Sequence, residues 1–170
     1  MTNTAPWKLG EDNQHYPLDA LADFTFALLQ LLPQTRRSII IQAPELDTPW
    51  LGNPLIADHI TRLLRGTPSF RLQLLFNDSA TARRQGHALI RLSQRFPSFI
   101  ELRKAQLEDQ QTASWLTLDQ RALIQREDPL RFHAGSVCPN VPHAARHLLK
   151  GFEERWQRAQ PGPQLRRLFL

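Results

Sequence analysis

"FRLQLLFNDSATARRQGHALIRLSQRFPSFIELRK", Phe70 to Lys104, is the stretch on which the fold turns. Phe70 to Phe76 is an apolar run of strand length, and Phe99 to Lys104 is a second. Between them Asn77, Asp78, Ser79 and Thr81 supply capping side chains for a helix expected over Ala82 to Phe96. That helix has an apolar stripe of Leu89, Leu92 and Phe96 and a polar face of Arg84, His87, Arg91 and Arg95. Strand, helix, strand is the unit of a parallel sheet with covered faces.

The pattern extends in both directions. Upstream, Leu18 to Leu32 carries Leu21, Phe24, Leu28 and Leu32 at helical spacing, and Pro33 stops it. "RSIIIQA", Arg37 to Ala43, reads as a buried strand. Leu55 to Arg65 is a second helix, with Gly66 at its end. Downstream, Trp115 to Leu118 and Ala122 to Arg126 form a hairpin around Asp119, Gln120 and Arg121. Asn140 and Pro142 open a long helix that buries Ala145, Leu148, Leu149, Phe152 and Trp156. Leu165 to Leu170 is a candidate edge strand. The order is α-β-α-β-α-β-β-β-α-β, an α/β fold with a mainly parallel mixed sheet and helices on both faces. Residues 1–17 read as a flexible arm, tacked down by Trp7, and 18–170 as one domain.

Charge is distributed unevenly. Residues 1–60 hold three basic and seven acidic side chains, and residues 61–170 hold eighteen and nine, so −4 is followed by +9. Eighteen of the 21 basic residues are Arg, whose planar fork suits phosphate and carboxylate. An anionic partner is expected for the second part: a phosphate-bearing small molecule, a lipid headgroup or a nucleic acid. The alternative is an arginine-rich solvated surface with no ligand. No apolar stretch is long enough to span a bilayer. A single Cys, Cys138, excludes an internal disulfide and fits a reducing compartment, so a cytoplasmic location is expected.

"LLFNDSATARRQGHALIRLSQRFPSFIELRK", "WLTLDQRALIQRED" and "GFEERW" resemble a bacterial domain of unknown function found alone or appended to GNAT-type acetyltransferases. In layout the chain resembles one half of the phospholipase D superfamily. The catalytic signature of that superfamily is HxKxxxxD. With its Asp at Asp119, the His and Lys positions fall on Thr112 and Ser114. Thr112 cannot form the phosphohistidine intermediate and Ser114 offers no charge to a phosphoryl oxygen, so the resemblance implies a non-catalytic binding module with no cofactor. Superfamily members pair two such halves, which makes a homodimer an expectation.

In sheets of this kind ligands sit at the carboxyl ends of the strands. The candidate binding residues there are Asn77, Asp78, Arg83, Arg84, His87 and Arg91. Arg83 and Arg84, placed in the first turn of the expected helix, oppose the macrodipole unless an anion joins them. Asp47 with Glu45, and Asp119, are further candidates for the same edge, with turn capping as the alternative for each. His133, Cys138, His143 and His147 include an i, i+4 histidine pair, but Pro139 and Pro142 and the lack of paired cysteines argue against a metal site. Ser136 lies outside any nucleophile elbow, and phosphate-loop, dinucleotide and coenzyme A-binding patterns are missing. Two other functions stay open: a regulatory domain for a protein partner such as an acetyltransferase, and a hydrolase with an unrecognised site.

Overall fold

Ile39 and Ile41 turn to one face of their strand and Ile40 to the other, and all three find apolar neighbours. A sheet covered on both faces follows, and a computed structural model of the protein, which describes residues 7–128 and 131–161, has that architecture. The elements are β1 (Tyr16–Leu18), α1 (Leu21–Leu31), β2 (Ser38–Gln42), α2 (Thr48–Leu51), α3 (Pro54–Gly66), β3 (Arg71–Phe76), α4 (Ala80–Gln85), α5 (Ala88–Arg95), β4 (Ile100–Lys104), β5 (Ser114–Leu118), β6 (Ala122–Arg126), β7 (Gly135–Cys138), α6 (Pro142–Arg158) and β8 (Gln160–Pro161). The eight strands among the described residues form one sheet in the order β1-β7-β6-β5-β2-β3-β4-β8.

Helices cover both faces, as the sequence implies. The larger core joins Phe24, Leu28 and Leu31 of α1, Ile56 and Ile60 of α3 and Leu89 of α5 to Ile39, Leu72, Leu116 and Ile124 of the sheet. The opposite face holds α6, whose Phe152 and Trp156 pack on Leu75, Trp115 and Leu123. Trp115 meets Phe152 edge-on and Phe152 stacks on Trp156, at centroid distances of 5.7 and 5.6 Å.

The pairing itself corrects the expectation of a mainly parallel sheet. Only β2–β3 and β3–β4 are parallel; the other five pairings among the described residues are antiparallel. After β4 the chain crosses back to place β5 antiparallel beside β2. β6 and β7 follow as antiparallel neighbours, and α6 leads across the sheet to β8, antiparallel to β4. The hairpin between β5 and β6 falls where it was read, with Leu118 opposite Ala122.

Three further differences have local causes. The helix expected over 82–96 is two helices, broken where Gly86 takes φ +77° and His87 becomes the cap of α5. β7, unrecognised in the sequence, lies between β6 and β1. The segment read as an arm is packed from residue 7: Trp7 is buried and stacks on Tyr16, and Gln34 donates to the Trp7 carbonyl at 2.7 Å. The edge strand expected over 165–170 lies outside the described residues.

Candidate functional site

Leu46 and Asp47 follow β2 with φ of +67° and +40°, two consecutive left-handed residues that are not glycine. Such backbone costs on the order of 1–3 kcal/mol per residue and persists only when its surroundings hold it. Here the Leu46 side chain is fully buried, and its carbonyl accepts from His87 Nε2 at 2.8 Å. The turn drives the Asp47 carboxylate inward. It pairs with the Arg126 guanidinium at the end of β6 and accepts from the Ser114 hydroxyl at 2.5 Å. Arg126 is held further by the Asp128 and Arg131 carbonyls, and its guanidinium lies 4.4 Å from the Phe132 ring centroid. Burial pushes the Asp47 carboxyl above its ordinary 3.8, against the pull of Arg126 and the Ser114 hydroxyl.

Above this network, at the carboxyl ends of β2 and β3, lies a cavity of about 320 Å³ lined by Glu45, Asp47, Asn77, Asp78, Gln111 and Thr112, among others. Three of the residues expected at the strand-end edge, Asp47, Asn77 and Asp78, therefore do converge. Their chemistry is not basic: among the described residues no Arg or Lys lines that cavity. Asn77 Nδ2 donates to the Gln111 carbonyl at 2.9 Å, and Asp78, just before α4, accepts from the Ala80 amide at 2.9 Å.

The basic residues expected beside them are elsewhere. Arg83 and Arg84 are in the last turn of the short α4, not in the first turn of a long helix, so the macrodipole favours them without a bound anion. Arg91 is exposed on α5. His87 is 2% exposed; its Nδ1 accepts from the Leu89 amide at 3.2 Å while Nε2 donates to Leu46. Both ring nitrogens are thus used within the fold. Burial pushes its pKa below 6.5, with the Leu46 hydrogen bond opposing and Arg91 assisting.

Asp119 is at the opposite end of the sheet from the cavity. At φ +55° in the β5–β6 turn, its carboxylate accepts from the amides of Arg36, Arg37 and Ser38 at 2.9, 2.6 and 3.0 Å. It thereby closes the amino end of β2 and gathers arginines there. A cavity of about 220 Å³ is lined by Arg37, Ser38, Asp119, Gln120, Arg121, Pro142 and Arg146. A neighbouring one of about 470 Å³ includes Arg36, His59 and Arg62. Arg71 continues the edge, its amide bonded to the Arg37 carbonyl at 3.1 Å. The side chains of Arg36, Arg37, Arg62, Arg71, Arg121 and Arg146 are all exposed.

Of the histidine and cysteine group, Cys138 is buried, with Sγ 3.5 Å from the Asn13 and Asn140 carbonyls; burial pushes its thiol pKa up. His133, 3.6 Å from Asp128, and His143 and His147 are exposed. Among the described residues no three metal-ligating side chains come together. Sequence reading missed Arg126 and the amino-end arginines. The signal for Arg126 was its inward parity with Ala122 and Ile124, which puts a charge on a buried face and demands a partner. Thr112 and Ser114 lie at the strand-end cavity and in the Asp47 network respectively.

The fold is shared with solved structures. TrmBL2, an archaeal chromatin protein whose structure shows a novel mode of DNA binding, superposes with a TM-score of 0.63 at 14% identity, covering 89% of this chain and 55% of that one. The chain thus spans about half the length of TrmBL2. Nuc of Salmonella typhimurium, a phospholipase D family member, gives 0.58 at 14% identity over 80% of this chain and 88% of that one. NucT from Helicobacter pylori gives 0.59 at 9% identity, over 87% and 98%. These likenesses make the fold phospholipase D-like. No helix among the described residues is long and apolar enough to cross a membrane. No curated protein sequence matches the chain. A family model matches residues 20–168, and the chain belongs to that family, DUF7931, a domain of unknown function.

Proposed function

We propose that this domain is a non-catalytic module that holds the sugar-phosphate backbone of a nucleic acid along its amino-end arginine edge. The observation that carries the reading is the use of Asp119. Among the described residues it is the one carboxylate lining the two amino-end cavities, and both its oxygens are occupied by backbone amides. Arg62 in one cavity and Arg37, Arg121 and Arg146 in the other therefore present guanidinium groups with little competition from carboxylates, while Arg36 has its Nη1 engaged by the Pro33 and Thr35 carbonyls. Guanidinium groups bind phosphate oxygens through paired donors, and a row of them suits a repeating polyanion more than a single small ion. TrmBL2, which shares the fold, binds DNA, and this supports a nucleic acid as the polyanion. For the absence of catalysis the support is chemical. Thr112 and Ser114 stand where the resemblance puts His and Lys, and the Ser114 hydroxyl is committed to Asp47.

Fluorescence anisotropy with labelled duplex and single-stranded DNA and RNA, over a series of salt concentrations, tests the proposal. If three of the arginines meet phosphates on duplex DNA, log K should fall against log salt with a slope of about −2.7. The triple variant Arg37→Ala/Arg121→Ala/Arg146→Ala should lose most of that slope while staying folded. Binding of equal strength and slope by this variant would refute the edge. Turnover of a generic phosphodiester by the wild-type protein would refute the non-catalytic part.

A further inference from the structure

Gly151 is in the middle of α6, where glycine is the least helical residue after proline. A Cβ there would come 3.0 Å from Nη1 of Arg155, one turn on. The missing side chain thus leaves room for the Arg155 guanidinium to lie back against the helix. From there it faces a cavity of about 340 Å³ between α6 and the ends of β2, β5 and β6, lined by Gln42, Gln125, Glu127 and His147 among others.

Arg155 is short of partners. Its Nη2 donates to Gln42 Oε1 at 2.5 Å, and Gln42 is fixed in that orientation because its Nε2 donates to the Ala113 carbonyl at 2.9 Å. Arg155 Nε is buried with no hydrogen-bond partner. Asp109 and Glu154 act on Arg155 through their charge, but the Asp109 carboxylate is taken by Arg158 through two bonds of 2.7 and 2.9 Å. Among the described residues no carboxylate comes within ion-pair distance of Arg155. Glu127, which also lines the cavity, is exposed. Burial pulls the Arg155 pKa down, as expected of a cation whose hydration has not been replaced.

We infer that this cavity is a binding site for a small oxyanion, carboxylate or phosphate, held by the Arg155 fork beside the Gln42 and Gln125 amides. The site lies on the α6 face, apart from the amino-end edge, and stands or falls separately from the nucleic-acid reading. A bound oxyanion would accept from the free Arg155 donors and from a ring N–H of His147, which lines the same cavity.

Isothermal titration calorimetry of the full chain with inorganic phosphate and, separately, with acetate tests the site and names which oxyanion it takes. Saturable binding of at least one is expected in the wild-type protein. It should be lost in Arg155→Gln and weakened by about tenfold in Arg155→Lys, which keeps the charge without the planar fork. The Arg37→Ala/Arg121→Ala/Arg146→Ala variant should bind as the wild type does. Three results would each overturn the inference: no binding of either anion, undiminished binding by folded Arg155→Gln, or loss of binding in the triple variant, which would place the anion on the amino-end edge.

Discussion

The Asp47 carboxylate and the Arg126 guanidinium meet inside the domain with their side chains 4% and 3% exposed, joining the turn after β2 to the end of β6 across 79 residues of sequence. A pair of this kind gives little net stability when whole, yet is costly to break, because the remaining charge is stranded without water. Arg126→Met alone should cost about 3–5 kcal/mol in urea unfolding. Adding Asp47→Asn should recover most of that loss, since Asn tolerates the left-handed turn and can keep the Ser114 contact. A single variant as stable as the wild type would show the pair to be dispensable.

His87 supplies a pH dependence with a definite sign. Its pKa is lowered in the fold, by burial first, so the unfolded chain binds the proton more readily. Its contribution is fully present above pH 6.5 and is lost as pH falls through the lowered folded value. Protonation also removes the Nδ1 acceptor that caps α5. Unfolding midpoints should therefore drop below pH 6.5 in the wild type. His87→Asn should flatten that slope, and at alkaline pH it should cost about 1–3 kcal/mol for the orphaned Leu46 carbonyl.

Asp119 separates stability from binding. Asp119→Ala removes the acceptor for three amides and leaves a β-carbon in the left-handed region, and should cost about 1.5–3 kcal/mol by chemical denaturation. Asp119→Asn keeps an acceptor and the backbone preference while deleting the negative charge. That variant should bind DNA more tightly than the wild type in the anisotropy assay, and weaker binding would count against the arginine edge.

Gly135 in β7 backs directly onto α1. A Cβ at that position would lie 2.3 Å from Phe24 Cζ and 2.7 Å from the Gln125 carbonyl oxygen. Gly135→Ala should destabilise the domain by about 1–3 kcal/mol through overpacking. Phe24→Leu placed in the same chain should relieve part of that cost, a coupling that a double-mutant cycle measures.

These cases explain what could be read from the sequence. β2 was legible because both of its faces are covered, so Ile39, Ile40 and Ile41 form an unbroken apolar run. The β5–β6 hairpin was legible because its turn residues are short-range. β7 was not, since "GSVC" has a single large apolar residue and earns its place through Gly135, whose role depends on Phe24 far upstream. The break at Gly86 and His87 was hidden because Leu89, Leu92 and Phe96 keep helical spacing on their own. The convergence of Asp47, Asn77 and Asp78 followed from topology, for strand ends gather there. Arg126 and the amino-end arginines came together through pairings that no local pattern encodes.

The contrast between the two ends of the sheet has a mechanical consequence. Glu45, Asp47 and Asp78 line a cavity at one end, and Arg37, Arg121 and Arg146 line one at the other. If the proposed edge meets a phosphate chain, a body so polarised would be turned as it approached and would land arginine end first. The Arg155 cavity, beside the carboxyl end of β2, would then lie away from the phosphate chain, and an oxyanion held there would be carried on the far side of the domain.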